Sequence, residues 1–180
     1  GIADPHVEES TVRGKLPPTT RLFSDPVDLL AQLRPDIVHV VTPPDTHASM
    51  AMLALDHGAH IYVEKPFALS TEDAKKILDY AKEKNCSVCA GHQVLFQHSG
   101  QHYRRYFAYI KKVIHIESYF SFKTVRRVQG GLMRPVEQVV DILPHPVYLM
   151  LDALEASSEN EASSAYEVLI NDVHATGEVR

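Results

Sequence analysis

The residues Ile61-Tyr-Val-Glu-Lys-Pro66 fix where one strand of this chain must stop and what stands at its end. Proline lacks an N–H and holds its own φ, so an apolar strand through 60–63 cannot run past Pro66. Lys65 is therefore presented at the carboxyl end of a strand. In an open α/β sheet that edge is where ligands bind. A lysine there donates to a ligand or, once desolvated, moves a proton. A strand-end lysine in plain solvent is the other reading, and the surrounding sequence decides between them.

Upstream, residues 37–41 form a β-branched run, the pattern of a parallel strand buried on both faces. His39 inside it reads as a hydrogen-bonded core residue. Pro43 and Pro44 stop the run, and Asp45 or Thr46 can cap a helix. Ala48, Ala51, Met52 and Leu55 then share one helical face, and Gly58 follows as a C′ residue. After the strand at 60–63, Ser70-Thr-Glu-Asp73 resembles a capping box. Ala74, Ile77, Leu78 and Ala81 give the next helical face, and 87–91 reads as a further strand. Earlier in the chain, Gly1–Asp4 looks like the tail of a strand ending in an acid, and 21–23 like a short strand. Ser24-Asp25-Pro26 starts a helix with proline at its first position, with Val27, Leu30 and Ala31 as its apolar face and Pro35 at its end. Strand and helix alternating at this spacing mean βαβ units and a parallel sheet with right-handed crossovers.

These residues resemble the Gfo/Idh/MocA family, the relatives of glucose-fructose oxidoreductase and inositol dehydrogenase. The resemblance rests on Asp36-Ile-Val-His-Val-Val-Thr-Pro-Pro44, His47, Ala54-Leu55 with Gly58-Ala-His60, and Glu64-Lys-Pro66, in order over 21–91. It implies a Rossmann dinucleotide-binding domain followed by an α+β substrate domain with a mixed or antiparallel sheet. It also implies hydride transfer between NAD or NADP and a sugar, polyol or related carbonyl compound. The family's acid and histidine, four residues apart on a helix, correspond to Asp141 and His145; Pro144 and Pro146 strain that helix, which is expected to kink or to begin close to Asp141. By the same resemblance Lys65 and His145 share the proton chemistry, Asp141 holds substrate hydroxyls or the imidazole, and the Lys65–Pro66 bond is cis. Asp4 would hydrogen-bond the adenosine ribose. Thr42, Pro43, His47 and Glu64 join Lys65 on the cofactor side, with Glu64 positioning the turn, and for His47 a structural reading stands equally open.

The chain departs from the family's pattern in several places. Leu143 stands where glycine is common, and Tyr148 where a second aspartate is common. Gly130-Gly131 lies further from Asp141 than the family's glycine pair lies from its acid. Leu95 replaces the arginine of an Asn-x-Arg-Phe element of which Phe96 survives. None of the eight glycines forms a G-x-G pair, so the Gly-rich phosphate loop is absent. The sequence therefore reads as a fragment lacking a first strand and helix, with an incomplete Rossmann domain at 1–92 and part of a substrate domain at 93–180. Within the latter, 101–112 reads as a linker helix and 113–122 as the first strand of a second sheet. Residues 155–164 read as a link, and 165–170 as the start of another strand. Without the central strand, exposed sheet edges favour self-association.

Composition sets the outer limits. A length of 180 residues suggests one domain and a part, and a net charge of −5 argues against nucleic acid as a partner. No apolar run reaches the roughly 18 residues that span a bilayer, so no membrane is expected, and the compartment expected is the cytoplasm. Cys86 and Cys89 are three apart on an expected strand, too far for a disulfide, and read as buried free thiols. His98 and His102 are a helical i, i+4 pair with no third ligand nearby, so no metal is expected. A sugar or polyol is the expected partner, with a homo-oligomer when full length. Two further readings stay open: a non-catalytic dinucleotide- or sugar-sensing regulator, and an inactive fragment of such an enzyme.

Overall fold

The computed structural model describes residues 1–107, 109–110, 113, 115–118 and 140–156. The chain forms two compact units, Gly1–Gly91 and His92–Arg180.

Unit 1 is α/β with every strand pair parallel. β1 (Ile2–Ala3) pairs with β2 (Leu22–Phe23). Between them lie a four-residue helix, α1 (Glu9–Val12), and a 3-10 turn at Arg13–Lys15. β3 (Ile37–Val40), β4 (His60–Val63) and β5 (Val88–Ala90) form a separate sheet in the order β3-β4-β5. The register sets His39 beside Tyr62 and Tyr62 beside Cys89. The helices α2 (Pro26–Leu33), α3 (His47–Asp56) and α4 (Thr71–Glu83) connect the strands.

Local chemistry explains the boundaries. The Asp25 carboxylate accepts from Val27 N–H at 2.8 Å and caps α2, with Pro26 at its first position. Ser70 Oγ accepts from Asp73 N–H at 3.0 Å and caps α4. Gly58 follows α3 at φ 75°, a left-handed conformation that glycine adopts without the strain a side chain would bring. The core lies between α3, α4 and one face of the β3-β4-β5 sheet. Val40, Ala51, Ala54, Leu55, Ile61, Val63, Ile77 and Ala81 are buried there; of the face expected of α3, Ala51 and Leu55 are buried and Ala48 and Met52 are partly buried against the core.

Several packing expectations are corrected. β3 is buried on one face only: Ile37 is 58% and Val41 68% exposed, and His39 is exposed, stacked on the Tyr62 ring at 4.9 Å. Among the described residues α3 and α4 cover one side of this sheet and nothing covers these side chains. Leu78 is 51% exposed because the inward stripe of α4 is centred on Ile77 and Ala81. On α2, Leu30 is buried while Val27 and Ala31 face out. Cys86 and Cys89 are free thiols, as expected, but Cys89 is exposed, on the bare side of β5.

Among the described residues β1 pairs only with β2, and β3 only with β4. A groove of about 400 Å³ runs between the two sheets, lined by apolar groups including Ala3, Leu30, Leu33, Val38, Met50 and Leu53. Each half-sheet is parallel within itself, and among the described residues no ladder joins them.

Unit 2 carries a 3-10 turn at Gln93–Phe96, α5 (His98–Phe107) and α6 (Pro144–Ala156). Leu95 is buried and Phe96 exposed. α5 starts earlier than the expected linker helix and ends earlier. Its His98 and His102 are both exposed. Residues 113 and 115–118 carry no strand assignment. The rest of the expected strand at 113–122, the Gly130-Gly131 pair, the link beyond 156 and the strand at 165–170 lie outside the described residues.

Leu55→Ala removes a fully buried side chain from beneath the sheet. The expected loss of unfolding free energy is about 2–5 kcal/mol, read as a lower urea midpoint at unchanged slope. A midpoint close to that of the parent chain would show that this core does not stabilise unit 1.

Candidate functional site

In unit 1 the expected residues gather at the carboxyl ends of the strands. Asp4 follows β1, Thr42 and Pro43 follow β3, and Glu64 and Lys65 follow β4. The Lys65–Pro66 peptide is cis. Three neighbours define this turn. Glu64 N–H donates to Val40 O at 2.9 Å, continuing the ladder one step beyond β4. The Glu64 carboxylate turns back, accepting Lys65 N–H at 3.1 Å and facing the Tyr62 hydroxyl at 3.5 Å. Gly91 N–H donates to Val63 O at 2.7 Å. A Cβ on Gly91 would come within 3.0 Å of Glu64 Cα and 3.1 Å of Val63 O, so a side chain there would press the turn outward by a few tenths of an ångström. The phenol of Tyr62 is pushed above its ordinary pKa, first by burial and then by the Glu64 charge.

His47 sits beneath this turn and is 1% exposed. Its Nδ1 lies 2.8 Å from Pro66 O and its Nε2 2.8 Å from Thr42 O. Of the two readings of His47, this geometry supports the structural one, because both ring nitrogens face backbone carbonyls inside the fold. His47 ties the segment after β3 to the turn after β4. Thr42 and Thr46 add a hydroxyl–hydroxyl bond at 2.8 Å across the same corner, and Thr46 N–H donates to Pro43 O at 2.9 Å.

In unit 2, Asp141 and His145 do not share an unbroken helix. Residues 140–142 are helical, Leu143 is a turn, and α6 begins at Pro144. Pro144 has no N–H to continue the earlier turn, and the interruption at Leu143 is the kink that the prolines allowed for. His145 is in the first turn of α6, and its Nδ1 lies 2.7 Å from the Tyr148 hydroxyl. Tyr148 is buried, with the His92 ring stacked on it at 4.2 Å and 19°. Burial and then the charge of His145 lower the pKa of His92 below the ordinary histidine value. At the other end of the contact between α5 and α6, Arg104 Nε donates to both Asp152 carboxylate oxygens at 2.9 Å. Tyr103 donates to Leu149 O, and its pKa is raised to about 12 by burial and then by the Asp152 charge.

His92 was not among the expected site residues. It is a lone histidine with no neighbouring motif, so only the fold reveals its place against Tyr148. Among the described residues no cluster of His, Cys, Asp and Glu is placed to hold a metal ion, and no helix is long and apolar enough to cross a membrane.

The family model of an oxidoreductase family with an NAD-binding Rossmann fold matches residues 1–92. The UDP-N-acetylglucosamine 3-dehydrogenase of Acidithiobacillus ferrooxidans is 39% identical over 72 residues, covering 40% of this chain and 22% of that protein. The scyllo-inositol 2-dehydrogenase (NAD(+)) of Bacillus subtilis is 41% identical over 59 residues, 33% of this chain and 17% of that protein. The aligned stretch thus spans about a fifth of each curated relative's length. A solved chain from Yersinia pestis shares the fold at 22% identity and a TM-score of 0.60, covering 81% of this chain and 42% of its own.

The lowered His92 pKa gives a signed expectation. A histidine depressed in the folded state contributes stability above its unfolded pKa of about 6.5, and loses it as pH falls through the folded value. Unit 2 should therefore weaken as pH falls from about 6.5 towards that folded value, and His92→Gln should flatten this dependence in urea melts followed by α6 amide signals. A parent-like pH dependence in His92→Gln would assign it to another group.

Proposed function

The chain belongs to the Gfo/Idh/MocA oxidoreductase family, and on that premise we propose that it is part of an NAD(P)-dependent enzyme acting on a sugar, polyol or related carbonyl compound. The observation that carries this reading is Lys65 at the carboxyl end of β4, on a turn held by Glu64, His47 and Gly91. Relatives over this stretch bear the names UDP-N-acetylglucosamine 3-dehydrogenase and scyllo-inositol 2-dehydrogenase (NAD(+)), which supports a hydroxylated ring as substrate. In this reading residues 1–92 are the dinucleotide-binding domain and 93–180 the substrate domain.

The residues of unit 1 suit the two ends of a dinucleotide. Asp4 stands after β1 with a carboxylate able to accept a ribose hydroxyl; one of its oxygens already accepts His6 N–H at 2.8 Å. Thr42, Pro43 and Glu64 border the carboxyl edge, and Lys65 belongs at the nicotinamide end. The middle is different. Pyrophosphate in a Rossmann site rests on backbone N–H groups at a glycine-tight turn and a helix N-terminus, and this sequence contains no G-x-G.

A bound nicotinamide would supply the hydride acceptor or donor. The chain's own groups would manage the proton and the oxygen. Lys65 donates a hydrogen bond to the reacting oxygen and steadies its developing charge. His145 accepts the hydroxyl proton, since an imidazole titrates near neutrality. Asp141 holds substrate hydroxyls.

Two measurements test this. In a hydride-transfer assay of a full-length version of the protein with a panel of sugars and polyols, Lys65→Ala should lower kcat by roughly 10²–10⁴-fold and change dinucleotide affinity far less. Near-normal kcat would remove Lys65 from the chemistry, and a cofactor-loaded protein inert to the whole panel would favour a sensing role. Calorimetric titration of the 180-residue chain with NAD(H) and NADP(H) should show weak binding or none. A low-micromolar dissociation constant would mean that some other segment grips the phosphates.

A further inference from the structure

Tyr148 has no role in the reaction outlined above, yet it is among the most enclosed side chains of unit 2. It lies three residues after His145 and so on the same face of α6. Its ring is held between two imidazoles, stacked on His92 at 4.2 Å and set edge-on to His145 at 5.5 Å and 74°. These two ring contacts and its burial restrict the phenol and direct its hydroxyl towards His145. The hydroxyl is 2.7 Å from His145 Nδ1. A phenolic hydroxyl both donates and accepts, and a neutral imidazole carries one N–H. The same short distance therefore fits two opposite arrangements. In one, Tyr148 donates and the ring proton is at Nε2. In the other, Nδ1–H donates and Tyr148 oxygen accepts.

We propose that Tyr148 is the positioning residue of His145: its oxygen accepts Nδ1–H, which fixes the ring's orientation and its tautomer. This rests on the reading of His145 as the proton acceptor. With Nδ1 given over to Tyr148, the nitrogen that takes up a proton is Nε2. Nε2 has a lone pair only in the tautomer that carries its hydrogen on Nδ1. Burial and then the His145 charge hold His92 below its ordinary pKa. From α5, Arg104 is bound to Asp152 and Tyr103 to the Leu149 carbonyl. Asp141 precedes α6 on the same segment. The sequence signal is His-x-x-Tyr at the start of a helix.

The experiment is long-range ¹H–¹⁵N correlation of the imidazole rings in the ¹⁵N-labelled 180-residue chain. The His145 signals are assigned by their loss in His145→Gln. In the neutral form the expected pattern is a protonated Nδ1 and an unprotonated Nε2. Tyr148→Phe keeps the ring stack and removes only the hydroxyl. It should shift His145 towards the tautomer mixture of an unrestrained imidazole, with α6 amide signals retained. An Nε2–H tautomer in the parent chain would overturn the proposal, as would His145 signals unchanged in Tyr148→Phe. Should that variant unfold, the tautomer in the parent chain decides alone. The two readings fail separately: absence of hydride transfer would remove the oxidoreductase role and leave the tautomer standing. An Nε2–H ring would remove the positioning role and leave the oxidoreductase standing.

Discussion

His47 lies inside unit 1 with a backbone carbonyl 2.8 Å from each ring nitrogen, and the ligand edge of the sheet is organised around it. The two carbonyls belong to Thr42 and Pro66, on the segments that leave the sheet after β3 and β4. Past the last ladder bond such groups have no strand partner, and a buried carbonyl left unpaired costs about 1–3 kcal/mol. An imidazole at the first residue of α3 reaches both. A neutral ring donates to only one of them at a time. The helix, the proline corner at 43–44 and the turn bearing Lys65 are thereby fastened through one side chain. An apolar replacement would fill the volume of His47 and orphan the carbonyls.

The sequence makes elements legible where punctuation is local. Pro66 marks the end of β4, Ser70 and Asp25 mark helix starts, and Gly58 marks a helix end through its positive φ. Covering layers leave no such mark. A β-branched run says strand, and residues 37–40 are one, but it does not say what lies above and below. α3 and α4 pack on one side of β3-β4-β5, so Val40 is buried while Ile37 and His39 are not. The same limit explains Leu78 and Val27. Each belongs to an apolar stripe about two residues wide, and tertiary packing chose its neighbour.

The site divides along similar lines. Lys65 is legible because a proline follows it and because strand ends in parallel sheets face ligands. The place of His47 is legible, but its function as a brace is not, since that depends on two carbonyls 5 and 19 residues distant in sequence. The break at Leu143 follows from Pro144, a residue whose effect on a helix is known in advance. His92 gives no signal at all. Its stacking on Tyr148 depends on how the segment before α5 returns to α6, a contact between residues more than fifty positions apart.

In both units the group proposed for chemistry is steadied by a second polar group close by in sequence. The Glu64 carboxylate accepts the N–H of Lys65, the residue beside it, and the hydroxyl of Tyr148 meets His145 from one turn along α6. Neither support needs to touch a substrate. Each removes freedom from a side chain or backbone whose direction matters, which is how positioning lowers a barrier without supplying a reacting atom. The arrangement separates two kinds of residue in this chain. Exchanging Lys65 or His145 takes away a reacting group. Exchanging Glu64, His47 or Tyr148 leaves every reacting group present and releases its aim, so its effect should appear in turnover before it appears in binding.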